Sequence, residues 1–196
     1  MALKCYGADV DAFARRWEVL SDQPPAAQLS RMRFRFRLRS CWINGELNTV
    51  HRRLIDVLNV EHAEVLVAEK VSVQQCFDVS CTIAVVDCAT INTSGVLFAV
   101  PLEETNGSPA PPNPLAWVKK RPEQAITGIG PYQITGNVYL PEGSQLRDAF
   151  VAVRDRFFAV ARAVIRLADN PDFVEEHNVV FVNRELMDFV APAPDP

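Results

Sequence analysis

The sequence predicts a mostly β protein of the α+β class, in which two small modules follow one another along the chain. Three observations predict it: β-branched residues alternate with polar ones in several segments, sequence blocks of the first half recur in the second, and a proline-rich stretch separates the halves. We expect each module to be a bent sheet or partly open barrel with one short helix, preceded by an N-terminal amphipathic helix.

The composition indicates a folded protein with no general attraction to polyanions. The chain has 196 residues, 48% of them hydrophobic, and a net charge of −4. No run of about 18 apolar residues and no signal-peptide core occurs, so we expect a cytoplasmic protein without a transmembrane segment. The five cysteines are an odd number, which favours free thiols.

Residues 1–28 are expected to contain the amphipathic helix and a short linker. Apolar residues recur there at helical spacing, namely Val10, Phe13, Ala14, Trp17 and Leu20. The apolar side would pack on one of this protein's own sheets or on a neighbouring protein. Phe13 and Trp17 are therefore candidate partner-binding residues.

Three sequence blocks recur in the same order, which predicts an internal duplication. INGELN at Ile43 corresponds to ITGNVY at Ile134, and INTSGVLFAVP corresponds to VNRELMDFVAP, both after 91 residues. LIDVL corresponds to LRDAF after 92 residues. We expect module 1 at 29–102, a proline-rich linker at 103–123, module 2 at 124–193 and a tail at 194–196.

Each module is expected to repeat one order of elements. A strand turns near a glycine (Gly45 or Gly136) into a second strand, and a short helix, a third strand and a final strand pair follow. The segment FFAVARAVIRL (157–167) also suits a helix, because alanine and arginine favour helices. Its alignment with the β-branched segment of module 1 favours a strand.

The second half resembles a small bacterial domain family of uncharacterised function. The matching residues of module 2 are Gly136, Pro141, Gly143, Leu146, Asp148, Asn183 and Arg184. Module 1 keeps a subset of the pattern: Gly45, Leu54, Asp56, Leu58 and Asn92. The resemblance implies a small, mostly β module and adds no catalytic residue or cofactor.

The segment RMRFRFRLRS places an arginine at every second position: Arg31, Arg33, Arg35, Arg37 and Arg39. In a strand this alternation buries Met32, Phe34, Phe36 and Leu38 and puts all five arginines on the other face. We call this segment the arginine strand. The corresponding stretch of module 2 has no arginine, so the fold does not require them. The partner strand, near Ile43–Val50, offers one carboxylate, Glu46.

Three interpretations of the arginine strand remain open. The arginines form a solvated face with salt bridges inside the chain, they dock on an acidic protein surface, or they bind nucleic acid or anionic lipid. The second is favoured over the third, because no exposed aromatic residues interleave with the basic ones for base stacking.

The sequence offers no constellation that indicates catalysis or a metal site. Cys76, Cys81 and Cys88 lack the close pairing of zinc ligands and are expected to be buried small hydrophobic residues. His177, beside Glu175, is expected in a surface turn. We therefore expect a non-enzymatic protein-interaction or scaffold protein, such as an accessory subunit of a larger assembly, without cofactors. The alternative is a polyanion-binding protein.

Overall fold

The fold is described from a computed structural model that covers residues 30–49, 53–60, 64–76, 80–102, 119–152 and 154–194. The predicted N-terminal helix, with Phe13 and Trp17, lies outside the described residues. So do residues 103–118, which form most of the predicted linker.

The described residues form ten strands, two short α-helices and two 3-10 turns. In chain order these are β1 (Ser30–Leu38), β2 (Cys41–Thr49), α1 (Leu54–Leu58), β3 (Val65–Gln75), β4 (Thr82–Asn92), a 3-10 turn (Thr93–Gly95), β5 (Val96–Pro101), β6 (Lys120–Ile129), β7 (Tyr132–Pro141), α2 (Leu146–Ala152), β8 (Phe157–Leu167), β9 (Asn170–Asn183), a 3-10 turn (Arg184–Leu186) and β10 (Phe189–Pro192). The predicted mostly β character is confirmed, and 157–167 is a strand.

All ten strands lie in one open antiparallel sheet with the order β10-β6-β7-β8-β9-β5-β1-β2-β3-β4. The order within the first half, β5-β1-β2-β3-β4, matches the order within the second half, β10-β6-β7-β8-β9. The halves join where β5 pairs with β9. The sequence did not predict this continuous sheet, and the division into two modules stays a prediction.

The second strand of each half bends at a glycine. The register between β2 and β3 shifts at Gly45, and the register between β7 and β8 shifts at Gly136. On the neighbouring strands, Lys70 has a φ of 48° and Arg162 a φ of 50°, which is the left-handed region. Such bulges bend and twist a sheet, so each half curves at the same place along its second and third strands.

An asparagine ends the fourth strand of each half and starts the 3-10 turn. The Asn92 side-chain oxygen accepts a hydrogen bond from the Ser94 N–H (2.9 Å), and Asn183 accepts one from the Glu185 N–H (3.0 Å). These bonds satisfy amides at the start of each turn. The Asn183 side chain also donates to the Val96 carbonyl at 2.9 Å, which ties the second half to β5.

Two hydrophobic cores lie on opposite faces of the sheet, and each contains residues of both halves. The first core is built from β1, β2, α1, β3, β4 and β5, and Phe157 and Phe181 of the second half complete it. The second core is built mainly from β6–β9 and also contains Trp42, Leu97 and Phe98 of the first half. The halves therefore pack as one body, because neither core is complete without the other half.

The start of β6 differs from the predicted boundary. The strand begins at Lys120, so its first four residues overlap the predicted linker at 103–123. Pro122 is tolerated there because β10 pairs only with Ala125–Gly128, and the missing N–H of the proline removes no bond to β10. Within the described ranges, no helix is long and apolar enough to cross a membrane.

Candidate partner-binding surface

The arginine strand is β1, and its apolar face is as predicted except at Leu38, which is half-buried. Met32, Phe34 and Phe36 are buried in the first core. The opposite face carries the five arginines, as the alternation predicts, but it is not uniformly exposed. Arg31, Arg33 and Arg39 are exposed. In contrast, the Arg35 side chain is 16% exposed and Arg37 is 1% exposed.

The middle of the arginine face is buried because it runs into the second core. Arg37 lies directly between Trp42 on β2 and Phe98 on β5, and both aromatic residues belong to that core. Phe98 pairs in turn with Val182 on β9. The arginine face near Arg37 is thus continuous with the inner face of the second half.

Arg35 is neutralised by a carboxylate from the other half. Its Nη1 donates to both carboxylate oxygens of Glu175 on β9, at 3.1 and 3.2 Å, and its guanidinium carbon lies 4.0 Å from the centre of the Trp42 ring. His177 Nε2 lies 3.2 Å from Glu175 Oε2. His177 lies within β9, so the prediction of a surface turn was wrong.

The surroundings of Glu175 stabilise its ionised form. Burial alone would raise the pKa of this carboxyl group, but the hydrogen bond with His177 and the charge of Arg35 outweigh it. The net result is a pKa below the ordinary value of 4.5. Glu175 is therefore ionised at neutral pH, and its charge is matched inside the chain.

Arg37 is held by groups of both halves. Its Nη1 donates to the Cys41 carbonyl at 2.9 Å, its Nη2 contacts Cys76 Sγ, and its guanidinium lies 5.0 Å from the Tyr132 ring centre. Burial raises the pKa of Tyr132, although the positive charge of Arg37 acts in the opposite direction. Arg37 Nε and Trp42 Nε1 are buried without a hydrogen-bond partner among the described residues.

Arg35, Arg37, Trp42, Phe98, Tyr132 and Glu175 form what we call the junction cluster. The aromatic rings of Trp42, Phe98 and Tyr132 meet edge to face, with centroids 5.2 to 6.2 Å apart. The cluster takes residues from β1, β2, β5, β7 and β9. Its arginines act in packing and charge neutralisation between the halves, so they are not available to an outside partner.

The exposed end of the arginine strand carries a basic group of side chains. Arg31, Arg33 and Lys70 surround Glu46, with Arg31 Nη1 at 3.8 Å and Lys70 Nζ at 2.9 Å from Glu46 Oε2. The hydrogen bond from Lys70, aided by the charges of Lys70, Arg31 and Arg33, lowers the pKa of Glu46 against the effect of burial. We call Arg31, Arg33 and Lys70 the basic end. The Arg31 side chain is 60% exposed.

The cysteines do not form a metal site in the described part of the chain. No group of three or more histidine, cysteine, aspartate or glutamate residues is placed there to hold an ion. Cys41, Cys76, Cys81 and Cys88 are free thiols, of which Cys88 is exposed and the others are partly exposed. The prediction that Cys76, Cys81 and Cys88 are buried was wrong: Cys76 follows the end of β3, Cys81 precedes the start of β4, and Cys88 is exposed on β4.

Sequence reasoning missed Glu175, Tyr132 and Trp42 as partners of the arginines. Glu175 is 140 positions from Arg35, and no local pattern marks such a pair. Trp42 alone carried a signal, because it lies in the predicted hairpin directly after the arginines. Comparison with known proteins adds no relative: no family model, curated protein or solved structure matches the chain.

Proposed function

We propose that the chain consists of two modules derived from one by internal duplication. The repeated strand order, the glycine bends at Gly45 and Gly136, and the asparagine turns at Asn92 and Asn183 support it. Gly136 and Asn183 each lie 91 residues after their counterparts Gly45 and Asn92, the same spacing as two of the sequence blocks. The resemblance to the small bacterial domain family would then apply to both modules.

We further propose that the protein is a non-enzymatic, cytoplasmic interaction or scaffold protein that docks on an acidic protein surface. The observation that carries this proposal is the exposure of Arg31 and Arg33 at one end of β1, on a chain with a net charge of −4. Planar guanidinium groups bind carboxylates in pairs, which suits such a surface. Phe13 and Trp17 are proposed as additional contacts.

Binding of nucleic acid or anionic lipid is the second candidate, and the junction cluster argues against it. Arg35 is paired with Glu175 and Arg37 is buried, so the row of five arginines does not form one continuous basic surface. Glu46 and Glu69 also lie beside the basic end, where they would repel phosphates. A contact with one or two carboxylates of a protein needs only this small basic patch, whereas a polyanion presents a continuous row of negative charges.

The test is capture of partners from the native host with wild-type protein and with the double variant Arg31→Glu, Arg33→Glu. Arg147→Glu is the matched control, because Arg147 is exposed on α2 and its ion pair is with the adjacent Asp148. We expect a specific protein to be captured by wild type and control and lost with the double variant. Equal capture by all three would contradict docking at the basic end.

A salt titration separates the two candidates. If duplex DNA or anionic vesicles were the ligand, affinity would fall steeply with salt, with a log–log slope of about 0.9 per phosphate contacted on DNA. The double variant would then reduce that slope by the amount expected for the loss of about two phosphate contacts. We expect no measurable binding to either probe even at low salt, and specific, salt-sensitive binding would favour the second candidate.

A further inference from the structure

The junction between the halves is a pairing of two strands that each half possesses. The last strand of the first half, β5, pairs with the fourth strand of the second half, β9, through Phe98 opposite Val182 and Ala99 opposite Phe181. In the repeated strand order, β10 corresponds to β5 and β4 corresponds to β9. Each molecule therefore has a second strand equivalent to β5, namely β10, and a second strand equivalent to β9, namely β4.

Those two strands, β4 and β10, are the edges of the sheet. Among the described residues, β4 pairs only with β3 and β10 pairs only with β6. Edge strands present unpaired N–H and C=O groups, which favour pairing with another strand. The two edge strands are thus the counterparts of β9 and β5, which are paired with each other at the centre of the sheet.

Side chains at the junction alternate between the two cores. On β9, Val182 packs in the second core and Phe181 reaches across to the first core, and on β5, Phe98 reaches across to the second core. The corresponding residues at the edges, at a spacing of 91, are Thr90 for Phe181 and Phe189 for Phe98.

The edge residues that would reach across are exposed. Phe98 is 0% exposed at the junction, whereas Phe189 is 51% exposed at the edge. Thr90 is also exposed, while Ile91, the counterpart of Val182, is buried in the first core. Further along β4, Ile83, Val85 and Val86 are exposed as well. A hydrophobic edge of this kind is a liability in a monomer and suits a strand partner.

We propose that a second copy of this chain covers each edge, with β10 of one copy pairing antiparallel with β4 of the next. The register of the junction places Phe189 opposite Ile91 and Val190 opposite Thr90 of the neighbour. Phe189 then enters the first core of the neighbouring copy, as Phe98 enters the second core within the chain. The contact is head to tail, so it generates a ring if the rotation closes and a filament if it does not.

This assembly is independent of docking at the basic end, because it depends on β4 and β10 and not on β1. The Arg31→Glu, Arg33→Glu variant is expected to assemble like the wild type. Loss of partner capture with unchanged assembly, or the reverse, therefore distinguishes the two proposals.

The first test is the mass of the wild-type full-length protein in solution, by sedimentation velocity and light scattering at tens of micromolar. We expect a species of two or more chains, at a multiple of the 21.9 kDa chain mass. A monomer under these conditions overturns the proposal, and this result depends on no variant.

The second test blocks each edge separately with lysine, the residue that natural edge strands use against pairing. The β4 variant is Val86→Lys with Thr90→Lys, the β10 variant is Phe189→Lys, and Val151→Lys, exposed on α2, is the control. We expect both edge variants to be folded monomers by circular dichroism and sedimentation, and the control to assemble like wild type.

Mixing the two edge variants decides the mode of contact. The β4 variant keeps an intact β10 and the β10 variant keeps an intact β4, so the mixture has one functional contact and should form one-to-one dimers only. If the β10 variant alone stays assembled while the β4 variant does not, the contact joins β4 to β4 and the head-to-tail proposal is overturned. If the mixture stays monomeric, it is overturned as well.

Discussion

At the residue scale, the five arginines of one strand illustrate what alternation does and does not determine. Alternation determines which face a side chain takes, and Met32, Phe34 and Phe36 are buried as expected. It does not determine what covers the other face. Trp42 and Tyr132 cover Arg37, and Glu175 binds Arg35, so the middle of the row is inside the protein and its ends are outside.

The pair formed by Arg35 and Glu175 should contribute measurably to stability. A double-mutant cycle with Arg35→Ala and Glu175→Ala is expected to give a coupling energy of about 1–2 kcal/mol, because Arg35 Nη1 contacts both carboxylate oxygens and the pair is mostly shielded from water. The exposed pair Lys119–Glu142 is the control and should give less than about 0.5 kcal/mol. Urea unfolding measures both, and equal couplings would contradict the assignment.

The lowered pKa of Glu175 predicts how this contribution depends on pH. The unfolded chain binds a proton to this carboxyl group at higher pH than the folded chain, so stability rises with pH in that interval. The difference in unfolding free energy between wild type and Glu175→Gln should have its largest value at neutral pH. It should shrink as pH falls below the ordinary value of 4.5. A difference that stays constant or grows on acidification would be inconsistent with the lowered pKa.

At the element scale, the helices α1 and α2 and most strands could be predicted from periodicity, and comparison of the halves resolved β8 as a strand. The bends could not be predicted as bulges, because a glycine marks a turn equally well. In both halves the glycine lies within the second strand, at Gly45 and Gly136, where another strand approaches closely.

Replacing Gly136, Gly45 or Gly95 by alanine should reduce stability to different extents, in the order of how closely other atoms approach each glycine. A Cβ at Gly136 would lie 2.7 Å from the Ala161 carbonyl oxygen, so the backbone must shift, at a cost of about 1–3 kcal/mol. At Gly45 the nearest atom, on the Phe34 ring, is 3.1 Å away, and a smaller loss is expected. Gly95→Ala, with nothing within 4 Å, should be within about 0.5 kcal/mol of wild type. Thermal unfolding of the three variants checks the order.

At the scale of the whole molecule, the continuous sheet and the shared cores could not be predicted from the sequence. The halves are joined by two paired positions between β5 and β9, which is too short for a periodic signal. Residues of the junction cluster are up to 140 positions apart, and the comparison of halves gives no hint of contacts between them. The repeated order of elements, in contrast, was visible in the sequence blocks.

The shared cores predict that the two halves unfold together. Trp42, Phe98 and Phe181 each pack in the core of the other half, so neither half can unfold without exposing part of its neighbour. Calorimetry should give one transition. Phe98→Ala should lower the free energy of unfolding by about 3–5 kcal/mol and still give one transition. Two resolved transitions in the wild type would show that the halves are independent.

The central claim is that the middle of the arginine strand serves the junction and only its ends are available to a partner. The most direct measurement is modification of the native protein with an arginine-specific dicarbonyl reagent, followed by peptide mapping with mass spectrometry. We predict rapid modification of Arg31, Arg33 and Arg39, and protection of Arg35 and Arg37 until the protein is unfolded. Equal modification of all five in the native state would contradict the account.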